Sequence, residues 1–167
     1  MTDIFSTMEN PHLEFIMAVT LKFTRVQTIP DLPSGGMRSA VYVDEGIFEG
    51  PRLKGIAVPN SGGDYAIFRP DDTAVLDARY MLQEDDGTLI LLHNRGFLWG
   101  RTPDAMTRLR HWAFEGGDPV PHGDYYLRAS PTFDVPKGKH DWLTRHVCVG
   151  VGERRKDGNH VRYYALT

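Results

Sequence analysis

The sequence predicts an all-β fold, an antiparallel sheet of about eight or nine strands bent into a sandwich or closed into a barrel, with one short helix. Turn signals recur at short intervals: "DLPSGG", "DEG", "PNSGGD", "RPDD", "EDDG", "PHGD", "VPKGKHD" and "KDGN". Between them lie short runs rich in Val, Ile, Leu, Tyr and Phe, and strands joined by tight turns are the simplest way to satisfy both patterns. A single segment breaks the alternation.

Taken in order, the strand candidates are "LEFIMAVTLKF", "GMRSAVYV", "LKGIAV", "DYAIF", "TAVLDARYML", "TLILLHN", "DYYLRASPTF", "HVCVGVG" and "VRYYAL". The exception is "GRTPDAMTRLRHWAFEGG", which reads as a helix over about 103–115. Thr102 can cap it, Pro103 suits the first helical position, Asp104 favours the positive end, and Gly116 and Gly117 stop it. Ala105, Met106, Leu109, Trp112 and Ala113 share one face, while Arg108 and Arg110 turn to solvent. Such a helix is expected to plug the sheet or to gate a cavity.

At 167 residues, 41 % hydrophobic and 25 % charged, the chain is expected to form one globular domain over 1–167, with 1–11 a loosely ordered N-terminal arm. A domain of this length buries roughly 70 % of the surface its unfolded chain exposes, so the core can be sizeable. The net charge of -3 and scattered Lys and Arg give no footprint for nucleic acid. No apolar run is long enough for a membrane helix and no signal-like segment opens the chain, which suggests a cytoplasmic protein. Cys148, the sole cysteine, excludes an internal disulfide and reads as a small core residue.

The stretch "LDARYMLQEDDGTLILLHNRG" (76–96) is a hairpin whose register decides which side chains meet. A two-residue Asp86-Gly87 turn sets Tyr80 against His93. A three-residue Asp85-Asp86-Gly87 loop with a glycine bulge sets Arg79 against His93 and Asp77 against Arg95. The second is favoured, because it gathers Leu76, Ala78, Tyr80, Leu82, Ile90 and Leu92 on one dry face. Asp77, Arg79, Gln83, His93 and Arg95 then line the other. As a solvent face this is ordinary, with exposed ion pairs worth about 0 to 1 kcal/mol each. As a barrel lining it would be a polar cavity with apolar patches, suited to a small molecule.

Alternation in "DYYLRASPTF" points Tyr126, Arg128 and Ser130 one way, as a surface stack or a second site wall. Asp64 and Tyr65 follow a glycine turn in "GGDYAIF", where Asp64 reads first as a turn residue. Trp142 reads as core, and Glu49 has no partner that can be inferred.

The run "EGPRLKGIAVPNSGGDYAIFRPDDTAVLDARYMLQEDDGTLILLHNRG", the strand "YYLRASPTF" and the ending "WLTRHVCVGVG" closely resemble the family known as domain of unknown function 3237, from about Leu13 onward. The resemblance implies a single antiparallel β-barrel of about eight or nine strands with the one short helix, and a strand face turned to a lumen. Its pieces "LDARY", "NRG" and "YYxR" fall on Asp77, Arg79, Tyr80, Asn94, Arg95, Gly96, Tyr125, Tyr126 and Arg128. Thr132 stands where the family commonly has arginine and Thr144 where it has asparagine, and His93 is not fixed by the pattern; the resemblance therefore carries the barrel further than any shared substrate.

Seven histidines, at 12, 93, 111, 122, 140, 146 and 160, form no HxH or HxxxH pair, so no metal site is expected. There is no GxSxG elbow and no phosphate loop, and no cofactor is expected. What remains is acid-base chemistry on a small, partly apolar carbonyl, phenolic or carboxylate ligand, by a lyase, isomerase or cyclase, with epoxide or lactone opening included. Asp77 is the candidate base, Tyr126 the candidate acid, and Arg79, Arg95 and Arg128, with His93 and Asn94, the candidate substrate holders. A lipocalin-like binder using the same residues as anchors is the alternative. A third reading makes the arginines and aspartates purely structural ion pairs. Barrels of this size pair through an open edge or apolar patch, so a homodimer is carried as an expectation.

Overall fold

The computed structural model describes residues 9–167. Ten strands and one helix follow in the order β1 (Leu13–Ile29), β2 (Met37–Glu49), β3 (Lys54–Ala57), β4 (Gly63–Asp64), β5 (Ile67–Phe68), β6 (Ala74–Glu84), β7 (Leu89–Gly100), α1 (Ala105–Glu115), β8 (Tyr125–Asp134), β9 (Cys148–Arg155) and β10 (Gly158–Leu166). Eight of the strands close an antiparallel ring, β1-β10-β9-β8-β7-β6-β3-β2, because β1 pairs with β10 on one side and β2 on the other. An eight-stranded barrel is just wide enough for side chains to fill it or for one small ligand to enter. The expected N-terminal arm falls largely on residues 1–8, which lie outside the described residues; the backbone of His12 already pairs with that of Thr167.

The two extra strands explain why ten are found where eight or nine were expected. β3, β4 and β5 all lie between β2 and β6, at successive heights, so a single stave of the barrel is built from three short pieces. The turns of "PNSGGD" interrupt it, and they do so beside Asp64. A side chain is impossible at Gly62, where a Cβ would stand 1.9 Å from the carbonyl oxygen of Arg79.

The β6–β7 hairpin takes the three-residue register, Arg79 opposite His93 and Asp77 opposite Arg95. The Glu84 amide donates to Thr88 O at 2.9 Å, and Gly87, at φ +88°, supplies the left-handed residue that the bulged loop needs. The dry face expected from this register is present: Tyr80, Leu82, Ile90 and Leu92 are fully buried, in a core with Met17, Val19, Phe48, Phe133, Cys148 and Val161. This core fills one end of the barrel. A 3₁₀ turn over Asp141–Arg145 closes that end, with Leu143 buried and Trp142 packed against the core from its rim.

A second cluster fills the other end: Ala74, Leu98, Val120, Tyr125 and Leu127 receive Met106 and Leu109 of α1. The helix is therefore a plug, as its apolar face implied. It begins two residues later than expected. Thr102 and Pro103 form a preceding turn, Asp104 is the N-cap without a side-chain cap bond, and Gly116 ends the helix at φ +79°. Arg108 is not turned to solvent: it is half-buried and bridges Asp104 (2.9 Å) and Asp124 (2.8 Å), tying the helix to the 3₁₀ turn before β8.

Candidate functional site

The face carrying most of the expected site residues is the outside of the barrel. Strict alternation puts Leu76, Ala78 and Tyr80 on the inner wall, so Asp77 and Arg79 point outward, as do His93 and Arg95 on β7 and Tyr126 and Arg128 on β8. These residues do meet one another. His93 Nε2 donates to Asp77 Oδ1 at 2.7 Å, and Arg79 Nε lies 3.6 Å from the same oxygen. The His93 hydrogen bond, aided by Arg79, holds the Asp77 carboxyl below the usual carboxylate range. Tyr126 stacks on Trp99 with ring centroids 5.3 Å apart, and the Arg128 guanidinium lies 5.2 Å from the Tyr126 ring. Arg128 also borders the inner cavity, and Arg95 is exposed. Of the expected residues, Asn94 alone turns its side chain fully inward.

A cavity of about 30 Å³ lies between the two apolar clusters, room for one or two water-sized groups. Its walls are mainly apolar, from Leu21, Phe23, Val43, Leu76, Ala78, Leu127 and Val161. Asp64, Tyr80, Asn94, Asn159 and Tyr163 line it with polar groups, and Arg128 borders it.

Asp64 is placed by the segmented stave. Its cross-strand partner is Ala78, and its Oδ1 accepts the backbone N–H of Asp77 at 2.9 Å, replacing a ladder bond. Among the described residues Oδ2 has no hydrogen-bond partner. Burial raises the Asp64 carboxyl to about 6, against the opposing effects of the Asp77 amide and the positive charge of Arg154, while Asp77 adds a small push upward. The carboxyl is thus divided between its two protonation states near pH 6 and mostly ionised at neutral pH, which suits a proton acceptor.

Around it stand groups that stay neutral. Burial lifts both the Tyr80 and Tyr163 hydroxyls well above the ordinary phenol value, so both keep their protons. The two phenols are near enough to influence each other, yet the Tyr163 hydroxyl is sealed from solvent without a well-formed hydrogen bond. The Asn94 Oδ1 is likewise buried and unpartnered. Unsatisfied polar atoms of this kind are rare in folded proteins, and two on one cavity mark a place where a water or ligand completes the bonding.

Further along β9, Arg154 is in phase with Gly150 and Gly152 and donates from Nη1 to Asn159 Oδ1 at 2.7 Å. Burial pulls its guanidinium below the ordinary value, with Tyr125 and Asp64 opposing. No group of three or more His, Cys, Asp or Glu side chains that could hold a metal occurs among the described residues. No helix among them is long and apolar enough to cross a membrane.

Sequence reasoning passed over Asp64, Tyr80, Tyr163, Asn159 and Arg154 as site residues. The signal for them was a polar residue in phase with a dry face. In the favoured register Asn94 is in phase with Ile90 and Leu92, and Tyr163 is in phase with Val161 and Ala165.

Comparison with known proteins agrees with this architecture. The chain is 27 % identical over 163 residues to a UPF0311 protein of Clostridium acetobutylicum, covering 97 % of this chain and 98 % of the relative. The crystal structure of a beta-barrel like protein from Acinetobacter baumannii AYE superposes with a TM-score of 0.80 at 27 % identity, covering 97 % of this chain and 99 % of that one. A conserved protein of unknown function from Rhodopseudomonas palustris has the same fold, with a TM-score of 0.85 at 21 % identity over 96 % of this chain and 100 % of the other. The model of the family described as "Protein of unknown function (DUF3237)" matches residues 11–166. With the family model matching residues 11–166 and the barrel shared with solved relatives, this protein belongs to the DUF3237 family.

Proposed function

We propose that this protein is a cofactor-independent acid-base enzyme, of the lyase, isomerase or cyclase kind, acting on a small and partly apolar compound that reaches the lumen. The observation that carries the proposal is Asp64: one oxygen fixed by the Asp77 amide, the other free at the cavity, and a carboxyl raised to about 6 beside phenols that stay protonated. Asp64 Oδ2 removes a proton from a carbon next to a carbonyl. The C–H electron pair becomes the C=C bond of an enolate whose oxygen accepts a hydrogen bond from the Tyr80 hydroxyl. Where a second double bond adjoins the reacting carbon the enolate is a dienolate, and Asp64, now neutral, returns the proton to its far carbon, giving the conjugated isomer; otherwise the enolate expels a leaving group from the β carbon, giving elimination. In the second course Asp64 hands the proton it took to the departing group, which leaves neutral and restores the carboxylate.

The proposal moves the base from Asp77, on the outer wall, to Asp64, because a carboxylate tuned by partial burial at the cavity is the better proton carrier. We take the reaction to occur in the cytoplasm. Pairing into a homodimer would use the outer wall, where Phe97 and Trp99 are exposed beside Arg95 and Arg128.

The test has two arms. Carbon-13 NMR of the Asp64 carboxyl gives its titration midpoint without any ligand; about 6 is expected, and an ordinary carboxylate value removes the base. Compounds released on denaturing the purified protein, identified by mass spectrometry, are then offered to wild type and Asp64→Asn. Turnover should fall at least ~100-fold while binding persists. A bound compound that neither form converts favours the lipocalin-like binder.

A further inference from the structure

Both ends of the barrel are stopped, so a molecule bound for the central cavity has to move a plug or pass the wall. Met106 and Leu109 of α1 fill one end, and the 3₁₀ turn over Asp141–Arg145 closes the other with Leu143. The wall is thinnest between β8 and β9. These strands run ten and eight residues, yet they register at two positions only, Arg128 opposite Val151 and Ala129 opposite Gly150. Each is paired throughout on its other side, β8 with β7 from Tyr125 to Asp134 and β9 with β10 from Cys148 to Arg155. The sequence accounts for the gap. Pro131 has no N–H to offer a ladder, and Gly150 and Gly152 bring no side chain to pack across the strands. Side chains stand in for the missing backbone bonds. Ser130 Oγ donates to Cys148 O at 3.4 Å, His122 Nε2 donates to Gly152 O at 3.1 Å, and the Arg154 N–H donates to the Tyr125 hydroxyl at 2.9 Å. The cavity reaches this seam, for Leu127, Arg128, Ala129 and Gly152 all line it.

We propose that the β8–β9 seam is the door of the lumen, the two strands parting around Arg128 and Val151 to pass a small molecule to Asp64. The proposal rests on the reading of the lumen as the reaction site and supplies the route to it. Parting the seam breaks two ladder positions and three part-buried side-chain bonds. Drawing out α1 instead exposes Met106 and Leu109, and lifting the 3₁₀ turn breaks the buried His140–Glu84 pair. Apolar surface and a buried pair cost more to expose than a few part-buried hydrogen bonds, so the seam opens first. Leu127 is the bolt. Its side chain lies over Gly152, where a Cβ would stand 2.5 Å from Leu127 Cγ, and rotation of that side chain clears the gap from within. Arg128 stands beside it, with its guanidinium 5.2 Å from the Tyr126 ring and its Nη1 donating to Leu127 O at 2.9 Å. A compound using this door passes a cation before it meets the carboxyl.

The probe is methyl methanethiosulfonate, a small neutral thiol reagent, acting on Ala78→Cys in a Cys148→Ala background. Position 78 lines the cavity from β6, between the two plugs, so its thiol is reached only through the lumen. The thiol should be labelled in native buffer at a rate that barely changes with urea below the unfolding transition, the mark of a local opening. Ser130→Ala and Tyr125→Phe, which each remove one seam bond, should speed labelling at least ~fivefold, and the plug variants Leu109→Ala and His140→Ala less than ~twofold. Amide exchange on the unaltered chain gives a second reading. On β9 the amides turned to β8, Arg154 among them, should exchange at least ~100-fold faster than those turned to β10. No labelling, labelling that needs urea to unfold the chain, labelling speeded by the plug variants and not by the seam variants, or equal exchange on the two sides of β9 overturns the proposal. The fate of the base is separate. An ordinary titration of Asp64 removes the base and leaves the door, while labelling through a plug removes the door and leaves the base.

Discussion

The backbone amide of Asp77 donates to the side chain of Asp64 across the β4–β6 pairing, at 2.9 Å, so the outward residue of the central hairpin positions the inward carboxylate of the segmented stave. The bond consumes Oδ1 and leaves Oδ2 facing the cavity. Burial of the same carboxyl, acting against that bond, sets the pH behaviour of the fold.

A buried carboxyl raised from about 3.8 to about 6 prefers to be protonated in the folded state. The folded form therefore binds more protons than the unfolded form between these values, and the Asp64 contribution to stability is full below about pH 4 and is lost as pH rises through 6. Asp77 and Asp86 are shifted downward, so their opposite contributions fall below the ordinary carboxylate value and do not overlap this window. Asp64→Asn should remove the pH 4–6 slope and stabilise the protein at pH 7.5 by about 1–3 kcal/mol, because it keeps the Oδ1 acceptor and removes the desolvated charge. Urea unfolding at pH 4.5 and 7.5 measures both quantities.

Gly62→Ala should destabilise the barrel by at least ~1–3 kcal/mol, the ordinary cost of overpacking, since its Cβ would collide with the Arg79 carbonyl and push β4 away from β6. The Asp77–Asp64 bond should loosen with it. Thermal melting and the Asp64 carboxyl titration report the two effects, and an unchanged titration would detach the stave from the site.

On the outer wall, His93→Ala and Asp77→Asn should each cost no more than about 1 kcal/mol, because the His93–Asp77–Arg79 cluster is partly exposed. Turnover should stay within about twofold of wild type, a spread far below the ~100-fold expected of a lost general base. A large loss in Asp77→Asn with the fold intact would return the base to the outer wall.

At the opposite end, His140 Nε2 lies 2.6 Å from Glu84 Oε2, both side chains buried, and Lys139 reaches the same oxygen at 2.8 Å. Removing one member of a buried pair leaves the other uncompensated, typically a loss of about 3–5 kcal/mol. Because Lys139 remains, His140→Ala should cost about 1–3 kcal/mol and open the 3₁₀ turn that closes this end. Amide exchange at Leu143, whose N–H donates to His140 O, should quicken accordingly.

The fold class, the hairpin register and the plug helix were legible in the sequence because each rests on a local rule. Alternation with period two names the two faces of a strand. Asp-Asp-Gly names a bulged loop, and apolar residues at helical spacing between a proline and paired glycines name a helix. The helix start was misplaced because Thr102–Asp104 close a turn of their own, a choice made by the bonds of Thr102 and Arg108 to Asp104. Asn94, named among the candidates, faces the cavity, although the residues named with it lie on the other side of the sheet.

Which face of the hairpin is inside could not be settled by any local rule. Period two separates Asp77, Arg79 and His93 from Tyr80, Leu92 and Asn94, yet both sets contain the side chains of a plausible site. Closure of the ring decides between them, because β1 must meet β10 and β2 at once, and only then does one face lose its water. The same closure brings Asp64, Tyr80, Asn94 and Tyr163, spread over a hundred residues of chain, onto one cavity of about 30 Å³. The sequence by itself determined the strands, their faces and their chemistry. Only the tertiary structure decided which carboxylate is desolvated, because desolvation depends on what the rest of the chain excludes from its surroundings.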